Sequence, residues 1–157
     1  MKTLLNSFGQ QSVAAGAELA IVLNSQVLPV SQYQRIKVYN CGGALSGTTA
    51  ENLTVLTAGI FLNLFQDAAM QNFVAQFFLA GGQPNGAVVG QTGYVLTATG
   101  SPSLLTFEPS ELTLIVTPPP VFPIIAYFNF SIEGDVKNLN AVAQNCFSEL
   151  AVLYDMM

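Results

Sequence analysis

Ile124-Ile125-Ala126-Tyr127-Phe128-Asn129-Phe130-Ser131-Ile132 is an almost unbroken run of β-branched and aromatic residues, closed by Glu133-Gly134-Asp135. Such residues fit a pleated, half-buried surface, so the stretch reads as a strand. Just before it, Pro118-Pro119-Pro120-Val121-Phe122-Pro123 cannot donate to a ladder and reads as an extended, polyproline II connection. Upstream of the prolines, Leu112 to Val116 is a further strand. Downstream, Leu139 to Tyr154 fits two periods. Val142, Cys146, Leu150 and Leu153 lie at helical spacing, while Cys146, Ser148, Leu150 and Val152 lie at strand spacing. Strand is expected there, because a rolled sheet needs a closing edge.

The rest of the chain has the same grammar. Val13 to Leu23 carries β-compatible residues with Gly16 as a bend, and Asn24-Ser25-Gln26 is a turn signal. Pro29 fits an edge or a strand start. Arg35 to Asn40 alternates, with Ile36 and Val38 on one face, and Cys41-Gly42-Gly43 is expected to end it. Leu53 to Leu56, Phe73 to Leu79 and Val88 to Thr99 are further strands, with Gly81-Gly82-Gln83-Pro84-Asn85-Gly86 as the strongest turn. Between them, Phe61, Leu62, Phe65, Ala68, Ala69 and Phe73 also fit a helical stripe, so a short helix near 60–70 is a rival reading. Strands at roughly ten-residue spacing, punctuated by Gly and Pro, point to an all-β, antiparallel two-sheet sandwich, jelly-roll-like, with about eight strands. The domain reading is an N-terminal arm over residues 1–11 and a single β-sandwich over 12–157.

Composition narrows the role. Of 157 residues, 51% are hydrophobic and only 8% charged, with four basic residues against nine acidic ones and no histidine or tryptophan. The acid excess argues against nucleic acid, since nothing neutralises several phosphates. It disfavours anionic membrane surfaces for the same reason. The missing histidines remove serine triads, Cys-His dyads and most zinc sites. The longest apolar stretch, Ile60 to Leu79, is broken by six polar residues, so no membrane span of about 20 residues occurs. The N-terminus opens like a signal peptide, but its apolar run stops at Leu4-Leu5, short of the roughly 7–15 residues an h-region needs. Either a signal has been removed or none is used.

Asn, Gln, Ser and Thr number 43 and supply the polar surface that charges usually provide. Such a surface repels its own copies weakly and promotes association. The few basic residues (Lys2, Arg35, Lys37, Lys137) leave few trypsin-type cleavage sites, which suits an exposed protein.

Leu28-Pro29-Val30-Ser31-Gln32-Tyr33-Gln34-Arg35-Ile36-Lys37-Val38-Tyr39 resembles a V-P-V-x-x-Y-x-x-I-x-V phrase of small bacterial β-sandwich modules on cell and spore surfaces. The amide-rich, lysine-poor composition is similar to that of self-assembling jelly-roll subunits of spore appendages and exosporium. The resemblance implies a structural subunit. Those families carry an N-terminal cysteine cluster for covalent cross-linking, and residues 1–12 here hold no cysteine.

The chemistry-bearing residues are few. Cys41 and Cys146 admit an intrachain bridge, two buried thiols or an interchain bridge. Glu108 and Glu111, and Glu133 and Asp135, are close pairs without the facing geometry a glycosidase needs. Glu133-Gly134-Asp135 with Asn138 and Asn140 is oxygen-rich, but its spacing matches no calcium loop. Asn52-Leu53-Thr54 and Asn129-Phe130-Ser131 match the glycosylation acceptor by chance composition, the second inside a strand. Tyr33, Tyr39 and Tyr94 are candidate ligand-facing aromatics for a carbohydrate. No catalytic residue, metal ligand or cofactor is expected.

Taken together, the sequence points to a non-enzymatic structural subunit that meets copies of itself in a fibre, appendage or shell, outside the cell on a spore, a cell surface or a virion. Leu4, Leu5 and Phe8 would anchor the arm on a neighbour. A carbohydrate-binding or adhesion module, or a virion decoration or fibre protein, is the alternative.

Overall fold

The computed structural model describes residues 2–47, 53–84, 94–96, 104–107, 112–115 and 125–157. Its strands are β1 (Thr3–Val13), β2 (Glu18–Asn24), β3 (Leu28–Ser31), β4 (Arg35–Gly47), β5 (Leu53–Phe65), β6 (Phe73–Pro84), β7 (Tyr94–Leu96), β8 (Leu104–Phe107), β9 (Leu112–Ile115), β10 (Ile125–Asn138) and β11 (Gln144–Met156). All pairings are antiparallel, and no helix occurs among the described residues.

Eight strands form one hydrogen-bonded path, β1-β11-β4-β8-β6-β5-β10-β2, while β3, β7 and β9 pair beside it with β10, β5 and β4. The first strand of the path lies against the last, β2 against β10, β4 against β8, and β5 against β6. That nesting is a long hairpin rolled into two layers, which is the jelly-roll arrangement. One layer is β1-β11-β4-β8 and the other is β6-β5-β10-β2. The link from β8 to β6 joins the layers at one lateral side. The path ends, β1 and β2, meet at the other.

Alternation places the core between the layers. On β10, Ala126, Phe128, Phe130, Ile132 and Val136 point inward and are buried. Phe128, Phe130 and Tyr154 form a triangle of tilted and edge-on rings, with centroids 5.6 to 5.9 Å apart. Those geometries favour the ring quadrupoles beyond area burial. Val13, Ile21, Val30, Ile36, Val38, Leu45, Ile60, Leu62 and Val152 complete the packing at 0% exposure.

Several boundaries differ from the sequence reading. Residues 60–70 are not a helix. Phe61, Asn63 and Phe65 alternate with Leu62 and Leu64 along β5, and β6 starts at Phe73. The apparent helical stripe arises because period-2 alternation crosses a tight loop and resumes out of phase. That loop is fixed by Asp67, whose carboxylate accepts from the backbone N–H of Gln71 (3.1 Å) and Asn72 (2.8 Å), and by Gln66 N–H donating to Asn72 C=O (2.9 Å). An Asp side chain that takes backbone donors competes with helix formation. The glycines at 42–43 and 134 do not end their strands, because β4 and β10 run through them. Gly81 to Pro84 belong to β6 and pair with β5 and β8, while Asn85-Gly86 lie outside the described residues. So do Pro118 to Pro123. Gly16 does mark a bend, at φ +69°, where a side chain would be strained.

Residues 3–13, read as part of an arm, are an edge strand of the chain's own sheet. They pair continuously with β11 from Thr3↔Tyr154 to Val13↔Gln144. The corner they make with β2 is tied by Asn138, fully buried. Its amide donates to Val13 C=O (3.0 Å) and Val142 C=O (2.9 Å), and its backbone N–H to Ala17 C=O (2.9 Å).

Two adjacent glycines give a test of the layer packing. A Cβ on Gly43 would sit 2.6 Å from the backbone oxygen of Glu149 and 3.2 Å from Ile132, whereas one on Gly42 meets nothing within 4 Å. Gly43→Ala is expected to cost about 1–3 kcal/mol and lower Tm by roughly 3–10 °C in a thermal melt, with Gly42→Ala near neutral.

Candidate functional site

Three surfaces carry the residues of interest. The first is the lateral side where β1 and β2 meet. Along β1, Leu5, Ser7, Gly9, Gln11 and Val13 turn toward the core, and Leu4, Asn6, Phe8, Gln10 and Ser12 turn out. Phe8 is 74% exposed and Leu4 58%, while Leu5 packs against the core cluster. Of the three arm residues, two are therefore presented outward and one is spent inside. Among the described residues, no strand pairs with the side of β1 that faces away from β11.

The companion edge differs. The β2–β3 edge carries Glu18 and Pro29, and the Val22 N–H donates to the Gln11 Oε1 at 3.3 Å. Charge, proline and a capped donor are the devices that keep an edge from pairing. β1 has none of them: Thr-Leu-Leu-Asn-Ser-Phe-Gly-Gln-Gln-Ser-Val contains no charge and no proline, and its register with β11 has no bulge.

The second surface is the outer face of the β1-β11-β4 layer. Tyr39 stands there with Lys2 Nζ 4.2 Å and Lys37 Nζ 4.8 Å from its ring centroid. Two cations over the ring satisfy its face and crowd a stacking ligand. Tyr33 is 83% exposed in the turn between β3 and β4, held by Ser31 and Gln34. Tyr94 lies in β7 opposite Val55, and its side chain falls outside the described residues. Nothing gathers the three tyrosines into one described platform.

The third surface was not anticipated. On the outer face of the β6-β5-β10-β2 layer, amides on neighbouring strands form a row. Gln76 Nε2 donates to Asn63 Oδ1 (3.0 Å), Asn63 Nδ2 to Asn129 Oδ1 (3.0 Å), and Asn129 Nδ2 to Asn24 Oδ1 (3.2 Å). Asn63 also donates to Ser131 Oγ (2.9 Å), which donates to Glu133 Oε1 (3.3 Å); Gln76 Nε2 reaches Glu133 Oε2 at 3.3 Å. Asn129 and Ser131 are fully buried and Asn63 is 4% exposed, although all three point away from the core. Burying amides is costly unless they are paired, and here they pair with one another. Two hollows of about 260 and 370 Å³ open over this row and share Val22 and Glu133 in their walls. A single sequence carries no signal for this site, because it depends on cross-strand register. The burial of Asn129 also removes the Asn129-Phe130-Ser131 acceptor from glycosylation in the folded chain; Asn52 lies outside the described residues.

The cysteines are not bridged, and both are buried. Cys41 lies opposite Val152, while Cys146 is six residues further along β11, opposite Gly47. At the strand rise that is about 20 Å, beyond the roughly 7 Å limit for a disulfide. Burial also keeps both from a thiol on another copy. Glu133 and Asp135 face outward, while Asn138 points inside and is committed to Val13 and Val142. The calcium set is thus split by the alternation of β10. No group of three or more metal-ligating acids, cysteines or histidines occurs among the described residues, where no helix is long and apolar enough to cross a membrane either. Glu108 and Glu111 lie outside those residues.

Burial pushes the Cys146 thiol up from 9.0 to about 11, and burial raises the Tyr154 phenol as well. The folded state then holds protons that the unfolded chain releases, so stability is complete below pH 9.0 and declines as pH rises toward 11. Urea midpoints measured across that range are expected to fall. Cys146→Ala should flatten the fall, leaving the share due to Tyr154.

No protein-family model matches the chain, and no curated protein does. Among solved structures, the chain is similar to a chain in the structure of infectious bursal disease virus Gx strain, at 13% identity and a TM-score of 0.44, over 99% of this chain and 38% of that one. It is also similar to a chain of the T13 particle of the same virus, at 10% identity and a TM-score of 0.28, over 98% and 39%. The chain thus spans less than half the length of the viral chains it matches. Likenesses of this size say nothing about what this chain binds or builds.

Proposed function

We propose that the chain is a non-enzymatic structural subunit that associates with a second copy of itself through the free edge of β1. The observation that carries this is the asymmetry of the lateral side. One edge bears a charge, a proline and a capped donor, and the other presents a straight strand with none of them. An unpaired row of N–H and C=O groups is a template for another strand. The same strand pushes Leu4 and Phe8 outward, so an added strand gains apolar contacts as well as backbone hydrogen bonds.

A second copy fits this edge better than a charged partner does, because β1 offers no charge to complement. Pairing of β1 with another β1 closes a dimer. Pairing with a different edge continues as a chain, which is how a fibre, an appendage or a shell grows. The amide-rich surface, short of like-charge repulsion, supports either. A location outside the cell, on a spore, a cell surface or a virion, belongs to the same reading. This places Leu4 and Phe8 at the contact and leaves Leu5 in the core. Assembly follows from a strand edge within the sheet, where the sequence led us to expect a detached arm.

The test is Asn6→Lys/Gln10→Lys. Both positions face outward, so the fold and Tm are expected to hold. Lysine on an edge discourages strand pairing. Light scattering and sedimentation should show the parent chain as a dimer or larger and the variant at least about tenfold weaker in association. A parent chain that stays monomeric at high concentration would sink the proposal.

A further inference from the structure

We propose that the outer face of the β6-β5-β10-β2 layer binds a neutral oligosaccharide in the groove centred on Glu133. The groove consists of the two hollows that share Val22 and Glu133, so it is elongated along the sheet and has room for more than one ring.

The hydrogen-bond row decides the ligand chemistry. Gln76 spends its Nε2 on Asn63 and Glu133, which leaves its Oε1 as an acceptor. Asn24 accepts from Asn129 with its Oδ1, which leaves its Nδ2 as a donor. Glu133 takes one bond on each oxygen, from Ser131 and Gln76, and a carboxylate has further lone pairs to offer. The exposed rim therefore presents an acceptor, a donor and a carboxylate, all held by buried partners. A sugar hydroxyl both donates and accepts, so adjacent hydroxyls satisfy such a rim.

Apolar walls stand beside the polar rim. Phe73 is 58% exposed and packs edge-on against Phe65 at 5.9 Å; Met70 and Phe61 line the same groove. The C–H face of a pyranose ring stacks on such a surface. Convergent polar groups among aromatic walls are the usual make-up of a small-ligand site.

Other ligand classes fit less well. Neither hollow is lined by Lys or Arg, and Glu133 repels anions. Donors from Gln76 and Ser131 already point at the carboxylate oxygens, which opposes a cation there. The inference places sugar recognition on a different layer from Tyr39 and does not depend on assembly through β1.

The experiment is isothermal titration of the full chain with cellotriose, mannotriose and triacetylchitotriose. At least one is expected to bind. Phe73→Ala and Gln76→Ala, both exposed positions, should each weaken that binding at least about tenfold with an unchanged thermal melt. A sialylated trisaccharide should bind more weakly than the neutral one. The proposal is overturned if none of the three neutral sugars binds, if binding survives unchanged in both variants, or if the sialylated sugar binds as tightly.

Discussion

The pairing of Thr3–Val13 with Gln144–Met156 brings together the two ends of the chain and closes the roll. Every other pairing of the rolled hairpin lies inside it: β2 with β10, β4 with β8, β5 with β6. Joining segments so distant in sequence costs loop-closure entropy that no local contact offsets. The return comes from what the closure covers. Leu150, Val152 and Tyr154 on β11 reach Phe128 and Phe130 only when β11 is held in its layer. β1 gives β11 its second hydrogen-bonded neighbour and turns Leu5 and Val13 into the core.

The same closure decides the surface. Once β1 is consumed on one side by β11, its other side is the last unpaired row of the layer. At the end of the second layer the chain protects β2 and β3 by Glu18, Pro29 and the Gln11 amide. Gln11 belongs to β1 itself, so one strand caps the neighbouring edge while leaving its own bare. A protein selected to stay single has reason to treat both edges alike. The difference between them is what makes self-association the economical reading of a neutral, amide-covered chain.

Strands were legible in the sequence where alternation was undisturbed. Ile124 to Ile132, Arg35 to Asn40 and Leu112 to Val116 all fall in strands, and the tail was resolved by the need for a closing edge. Glycine misled where it lay inside a strand: Gly43 is needed because a Cβ would strike the backbone of β11, a reason invisible without the partner strand. Phe61 to Phe73 misled because two phases of period 2 joined by the Asp67 loop imitate period 3.6. Residues Leu4, Leu5 and Phe8 read as apolar, but which of them faced out depended on the register with β11. The cysteines could be counted but not placed, since their separation follows from the β4–β11 register. The amide row was the least legible feature. Asn24, Asn63, Gln76 and Asn129 come from four strands and look in sequence like four unrelated polar residues.

The edge and the groove lie on different layers, and that separation has a consequence. Strand addition at β1 extends the β1-β11-β4 layer in its own plane, whereas the groove opens on the outward face of the other layer. An assembly built through β1 then repeats the groove once per subunit. A groove with a few exposed hydrogen-bonding groups and one stacking ring holds a sugar weakly as a single site. Repetition converts such weak contacts into strong attachment through effective concentration, provided the spacing lets several engage together. Neutral amides suit both tasks: they recognise hydroxyls on one face and raise no charge barrier between copies at the edge. The composition that removed catalysis and nucleic acid from consideration is thus the composition that a repeating, sugar-facing surface requires.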